Sequence, residues 1–288
     1  MRYYRVADGC DSRLVVRTDG AEYDLTAARP EITGFMDLAR TAAVVDRDIN
    51  DIVDAVIANA PPVSSESTSH HRMPVVAEEV WAAGVTYHIS EKARQAESGN
   101  PDVYSQVYGN DRPEIFLKAT PSRTVGPEKD VGIRSDSEWD VPEPELAVVL
   151  YDGSIVGYTV GNDVSSRSIE GRNPLYLPQA KVYDRCCAIG PCVVTPDTVG
   201  DPHDLAIEMT ISRGGEPVFE GTTATSEMVK TCDELASALT KSNPVPETAV
   251  LLTGTALVPD EEFTLHPEDE IEITIENIGT LTNTVRRV

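Results

Sequence analysis

Glu143-Pro144-Glu145, taken with Asp163, is the grouping in this 288-residue chain whose residue types could do chemistry. Residues two apart on an extended strand project from the same face, so Glu143 and Glu145 point one way. Carboxylates gathered like this repel one another by about 4 kcal/mol per pair at roughly 4 Å and an effective dielectric near 20. A hard divalent cation removes that cost. Three oxygen donors without His or Cys point to Mg²⁺, with Mn²⁺ or Ca²⁺ as alternatives. By spacing alone, the trio also reads as three more surface acids in a chain that has 48 of them. Downstream of Asp163 the sequence is helical in character up to Gly171. On a helix, Asp163, Arg167 and Glu170 would share a face at i, i+4 and i+7. An Arg guanidinium beside a metal suits a substrate carboxylate, which it grips in two places, and Lys181 could add a second cation. Arg167 and Lys181 read equally well as salt-bridge partners of the acids.

These groups meet only if the surrounding elements bring them together. Residues 146–151 run into Asp152-Gly153, a two-residue hairpin signal, and residues 155–160 return. Glu143, Glu145 and Asp163 then fall at the open end of one hairpin. Short strands are expected at 3–7 and 13–17. A helix is expected between Asp48 and Ala60, where Ile49, Ile52, Val53, Val56 and Ile57 line one face before Pro61-Pro62. Residues 61–74 are rich in Ser and Pro and read as a linker with exposed His70 and His71. Beyond it, strands are expected at 188–195, 205–213, 217–222, 249–253, 271–276 and 280–286, and one helix at 227–241. The whole is α+β: a small N-terminal α/β domain with its linker at 1–74, then a β-rich domain at 75–288.

Composition limits what such a site can serve. Lys plus Arg number 24 against 48 Asp plus Glu, a formal charge of −24, and only six of the cations are Lys. This argues against a nucleic-acid or anionic-membrane partner, both of which call for basic patches. The longest uninterrupted apolar stretch, 146–150, is far short of the ~20 residues that span a bilayer, and the first residues lack a signal-peptide core, so a cytoplasmic protein is expected. Five cysteines, an odd number, argue against a disulfide framework and for small buried apolar thiols. The acid surplus suits a cytosol at molar salt, where the Debye length falls to about 3 Å and like charges stop repelling. The fold should therefore loosen as salt is withdrawn; a melting temperature indifferent to KCl between low and molar concentrations would contradict this.

At these residues the sequence resembles the fumarylacetoacetate hydrolase family. The blocks that carry the resemblance are GVTYHISEKAR (84–94), RPEIFLKAT (112–120), EPELAVVL (143–150), GYTVGNDVSSRSIE (157–170), QAKVYDRCCAIGP (179–191) and TGT (253–255), in the family's order. The resemblance implies a C-terminal mixed β-sandwich roll holding Mg²⁺ on Glu143, Glu145 and Asp163. It implies Arg167, Lys118, Ser90 and Thr255 around the ligand, and a dimer or higher homo-oligomer. The family's carbon–carbon hydrolases carry a water-activating His where this chain has Ser90, and a Glu where it has Ala93; His88 lies two positions away. Hydrolysis is therefore not expected. The stretches 134–150 and 173–191 look most like the family's archaeal dehydratases of 2-keto-3-deoxy sugar acids, and the salt-adapted composition fits a halophilic archaeon. That resemblance implies Mg²⁺-dependent dehydration of a 2-keto-3-deoxy-D-pentonate to 2,5-dioxopentanoate, with Glu170, Lys181 and Glu114 as candidate proton carriers. An acylpyruvate hydrolase or oxaloacetate decarboxylase of the same family is the alternative.

Overall fold

Strict alternation of apolar and polar residues from Glu270 to Ile275 demands a strand with one buried face, whereas the unbroken apolar run 146–150 demands a strand covered on both. The computed structural model, which describes residues 1–18, 20–64, 70–87 and 112–288, contains both. The strands are β1 (Arg2–Asp8), β2 (Asp11–Thr18), β3 (Ala21–Asp24), β4 (Pro62–Val63), β5 (Glu79–Gly84) and β6 (Glu114–Ala119). They continue with β7 (Thr124–Val125), β8 (Val131–Ile133), β9 (Asp140–Val141), β10 (Pro144–Tyr151), β11 (Ser154–Asp163) and β12 (Ser165–Ser166). The last are β13 (Cys187–Val194), β14 (Ala206–Arg213), β15 (Glu216–Ala224), β16 (Thr248–Leu252), β17 (Glu270–Ile275) and β18 (Gly279–Arg287).

One large sheet runs β4-β3-β2-β1-β13-β11-β10-β16-β5-β6, with β7 beside β13. A smaller sheet, β15-β14-β17-β18-β8, packs on it, while β9 and β12 form a separate pair. β10 is central, and its alternate side chains enter two cores. Leu146, Val148 and Leu150 pack with Ile207, Met209, Ile271 and Ile273 of the smaller sheet. Ala147 and Val149 face Phe35, Leu38, Val53 and Val56 from the helices Phe35–Val45 and Ile49–Ile57. One face is thus a β-sandwich and the other is covered by helices, the mixed α+β roll expected.

The N-terminal strands join the large sheet directly: β1 pairs with β13 through Arg2↔Val194 and Tyr3↔Val193. Where β13 diverges, the expected linker takes its place, bridging Val6 to His71 and accepting a bond from Ala7 N–H at His70 O. His71 is therefore not exposed. It stacks on Tyr4 at 4.7 Å, and burial lowers its pKa.

Three local expectations need correction. The helix Phe35–Val45 was not foreseen; the Asp37 side chain caps its start, accepting from the N–H groups of Thr33 and Gly34. The helix expected over 227–241 spans only Cys232–Thr240, because Thr231 and Glu234 form a capping box there while Met228 and Val229 pair with Tyr87 and Thr86. After Asp163 the chain is not one helix: Ser165–Ser166 pairs with β9 before the single turn Arg167–Glu170. The cysteines are free thiols, four buried as expected and Cys10 exposed. No helix among the described residues is long and apolar enough to cross a membrane, which says nothing of β-barrels.

Candidate metal and active site

The β10–β11 hairpin sets the position of its acids from the turn outward. Asp152 and Gly153 both have positive φ, 47° and 77°, matching the tight turn that twists with its strands. The register then runs Tyr151↔Ser154 to Pro144↔Asn162, with one irregularity at Val149/Leu150. At the open end, the Asp163 N–H donates to Glu143 O at 2.9 Å and the Glu143 N–H donates to Asn162 Oδ1 at 3.3 Å. Ligand-capable oxygens of Glu143, Glu145 and Asp163 consequently lie within 4.8 Å of one another, all buried.

Buried acids this close need cations, and this chain supplies three side chains. Lys181, from the helix Leu177–Lys181, donates from Nζ to Glu143 Oε2 at 2.7 Å, Asp163 Oδ2 at 3.2 Å and Ser165 Oγ at 2.6 Å. Lys118 of β6 donates to Asp163 Oδ1 at 2.6 Å and to the carbonyl of Val164. Arg167 binds Glu143 through Nη2 at 2.7 Å and Glu170 through Nη1 at 2.9 Å. Lys118 and Lys181 are both fully buried. Burial alone would lower their pKa values, but Asp163, joined at Lys181 by Glu143, outweighs it and holds both ammonium groups charged.

Glu145 differs from its neighbours. Among the described residues it has no salt-bridge partner, and its Oε2 accepts the Gly254 N–H at 2.6 Å. Burial, then repulsion from Asp163 and Glu143, pushes its pKa well up. Three convergent carboxylates, one of them short of countercharge, fit a hard divalent cation of the Mg²⁺ type. Gly254 is itself required here. Its φ is +86°, and a Cβ would lie 2.0 Å from Thr86 Oγ1 and 2.9 Å from the Ala83 carbonyl. The strand β5 and the TGT loop therefore interlock behind the site.

The cavity at these acids is also lined by Arg167, Lys181, Thr255, Phe116, Val85, Val258 and Ala83. Thr255 Oγ1 accepts the Leu257 N–H at 3.0 Å, shaping its own loop. Glu114 is not brought to the acids. It lies four residues from Lys118 on β6, about 13 Å at the strand rise, and lines a different cavity with Lys230 and Asp233. Ser90 and His88 lie outside the described residues. Sequence reasoning missed Ser165, Gly254, Phe116 and Val85. Gly254 was within reach as the centre of the TGT block, and Phe116 by alternation with Lys118 on one strand.

A strap holds Arg167 in place. β9 pairs with β12, and Trp139 O accepts the Arg167 and Ser168 N–H groups at 2.8 and 3.3 Å. Asp140 in this strap is buried with Oδ1 unbonded, and burial raises its pKa from 3.8 to about 6. Between those values the folded chain holds a proton that the unfolded chain has lost. Its destabilising effect thus grows as pH rises through this window and is complete above it. Asp140→Asn should stabilise the fold by about 2 kcal/mol above pH 6 and by little at pH 4. Melting curves of both proteins at the two pH values check this.

Known proteins share this arrangement. The family model for the C-terminal part of fumarylacetoacetate (FAA) hydrolases matches residues 79–286. A probable 2-keto-3-deoxyxylonate dehydratase of Haloferax volcanii is 57% identical over 289 aligned residues, covering 100% of both chains. A 2-dehydro-3-deoxy-D-arabinonate dehydratase of Saccharolobus solfataricus is 46% identical over 219 residues, 74% of each. Among solved structures, a 2-keto-3-deoxy-D-arabinonate dehydratase complexed with magnesium and 2,5-dioxopentanoate superposes with a TM-score of 0.84 at 36% identity, covering 100% of this chain and 99% of that one. With the fold, the clustered acids and a match across most of the sequence in agreement, the chain belongs to the fumarylacetoacetate hydrolase family.

Proposed function

We propose that this protein is a hydro-lyase that dehydrates 2-keto-3-deoxy-D-pentonate to 2,5-dioxopentanoate with Mg²⁺. The observation that carries the reading is the buried cluster of Glu143, Glu145 and Asp163. The dehydratase relatives, one of them solved with magnesium and 2,5-dioxopentanoate, supply the substrate class.

Charge counting agrees. Among the described residues, Glu143, Glu145, Asp163 and Glu170 face Lys118, Lys181 and Arg167, a net charge of minus one. A net negative cluster of this kind favours a bound cation. Mg²⁺ held by Glu143, Glu145 and Asp163 supplies a Lewis acid that polarises the keto oxygen and acidifies C3. Lys181 keeps Glu143 and Asp163 ionised and fixed. Arg167 orients the substrate carboxylate, and Glu170, held by Arg167, takes the C3 proton. The C4 hydroxyl leaves with a proton as water, giving a double bond conjugated to the keto group. Transfer of a proton from C5 to C3 and ketonisation at C5 then give the aldehyde. Thr255, which lines the same cavity, and Lys118, bonded to Asp163, complete the substrate surroundings.

Purified protein with Mg²⁺ and 2-keto-3-deoxy-D-pentonate at high salt should release dioxopentanoate, measured through a coupled aldehyde dehydrogenase. Chelation should stop the release and Mg²⁺ should restore it; turnover that survives chelation would overturn the reading. The division at residue 74 belongs to the same proposal, supported by the family match that begins at residue 79. So does a homo-oligomer, supported by the uncharged segment 173–180 with Leu175 83% exposed and Tyr176 beside it. Free thiols suit a reducing cytoplasm.

A further inference from the structure

Val85 stands in a backbone conformation that its side chain disfavours. Its φ is +56°, in the left-handed region that crowds any Cβ and a branched one most. Among the described residues the other non-glycines of positive φ are Asp46, Glu128, Asp152, Arg185, Ser242, Glu268 and Asn277, all polar. Of these eight, Val85 alone is β-branched, and it alone lines the cavity of the three acids. Its neighbours hold it there. Thr86 Oγ1 donates to Thr253 O at 2.6 Å, the Val229 N–H donates to Thr86 O at 2.9 Å, and Tyr87 bridges to Met228. A glycine would meet the same backbone requirement without strain, so the isopropyl group itself is what the site retains.

The cavity is lined by two kinds of side chain. Glu143, Glu145, Asp163, Arg167 and Lys181 are its charged lining, and Val85, Phe116, Val258 and Ala83 are the apolar part of its wall, beside Gly84, Gly254 and Thr255. Val85 is only 6% exposed and belongs to that wall. We propose that Val85 is a specificity-determining residue whose side chain faces the unhydroxylated C3 of the substrate and rejects acids that keep a hydroxyl there. The inference rests on the dehydratase reading. With the carboxylate and keto groups held by the charged residues, C3 is the next atom of the substrate and the first that an apolar side chain can meet. A C3 hydroxyl against Val85 would lose its water without gaining a partner from that side chain, and an apolar contact alone discriminates by up to about 100-fold.

The test compares KM for 2-keto-3-deoxy-D-pentonate with the inhibition constant of the 2-keto pentonate that retains its C3 hydroxyl. Val85→Thr keeps the shape and adds a hydroxyl to the wall; it should narrow the ratio of the two constants by about 10-fold with little change in melting temperature. Val85→Gly should melt no lower than the wild type while its kcat/KM falls about 10-fold, as strain is relieved and the wall is lost. An unchanged ratio in Val85→Thr, or a Val85→Gly protein that melts lower with kcat/KM unaltered, would make Val85 a core filler and overturn the proposal. Wild-type protein that leaves the deoxy acid untouched with Mg²⁺ present would overturn the functional reading instead, before any variant is compared.

Discussion

Glu145→Gln is expected to raise the melting temperature of the metal-free protein while lowering Mg²⁺-dependent turnover by about 10³-fold or more. The two effects have one source. Glu145 is buried and repelled by Asp163 and Glu143, and no ion pair among the described residues offsets its charge. An amide of the same shape removes the repulsion and can still accept the Gly254 N–H through its own oxygen. What it cannot do is contribute a negative donor to a divalent ion. The shift that Mg²⁺ produces in the wild-type melting curve, equivalent to about 2.7 kcal/mol at 100 times Kd, should vanish with the carboxylate. Thermal melts with and without Mg²⁺, beside a turnover assay, read all three quantities. A variant still stabilised by Mg²⁺ would remove Glu145 from the metal site.

Lys181→Met acts in the opposite direction on the fold. The Lys181 ammonium is fully buried and bonded to Glu143, Asp163 and Ser165. Its removal leaves two carboxylates facing each other with, among the described residues, Lys118 and Arg167 to offset them. Breaking a buried pair of this kind costs about 3–5 kcal/mol, because the surviving charges stay out of water. For a chain of this size that is a fall in melting temperature of about 10 °C. Because the remaining charge is more negative, Mg²⁺ should recover a larger part of the loss than it adds to the wild type. Scanning calorimetry with and without Mg²⁺ measures this, and a variant that melts within a degree or two of the wild type would show that Lys181 is not neutralising the acids.

The contrast between Glu145 and Lys181 shows why the site was only partly legible in the sequence. Two local periods placed the acids: alternation puts Glu143 and Glu145 on one face, and the Asp152-Gly153 turn sets the register that brings Asp163 back to them. Both are short-range effects that a linear reading captures. Lys118, 45 residues before Asp163 in the chain, reaches it only through the tertiary fold, from the terminal strand of the large sheet. Family resemblance suggested that neighbour; no spacing could. Helical periodicity failed after Asp163 because Ser165 and Ser166 pair with β9, a contact made by residues 24 to 26 positions earlier. The same override shortened the helix at Cys232–Thr240, whose first turns were claimed by Tyr87 and Thr86.

The amino-acid sequence alone determined the hairpin, the alternating strands of the smaller sheet, the three-acid cluster and the acid-rich surface. Each of these depends on neighbours within a turn or a strand, or on composition. Only the tertiary structure decided which acid is short of countercharge, that His71 is stacked rather than exposed, that Arg167 is shared between Glu143 and Glu170, and that Val85 is held in a left-handed conformation at the cavity wall. These depend on dielectric burial and on contacts between segments far apart in the chain, which arise only when the two sheets close on one another.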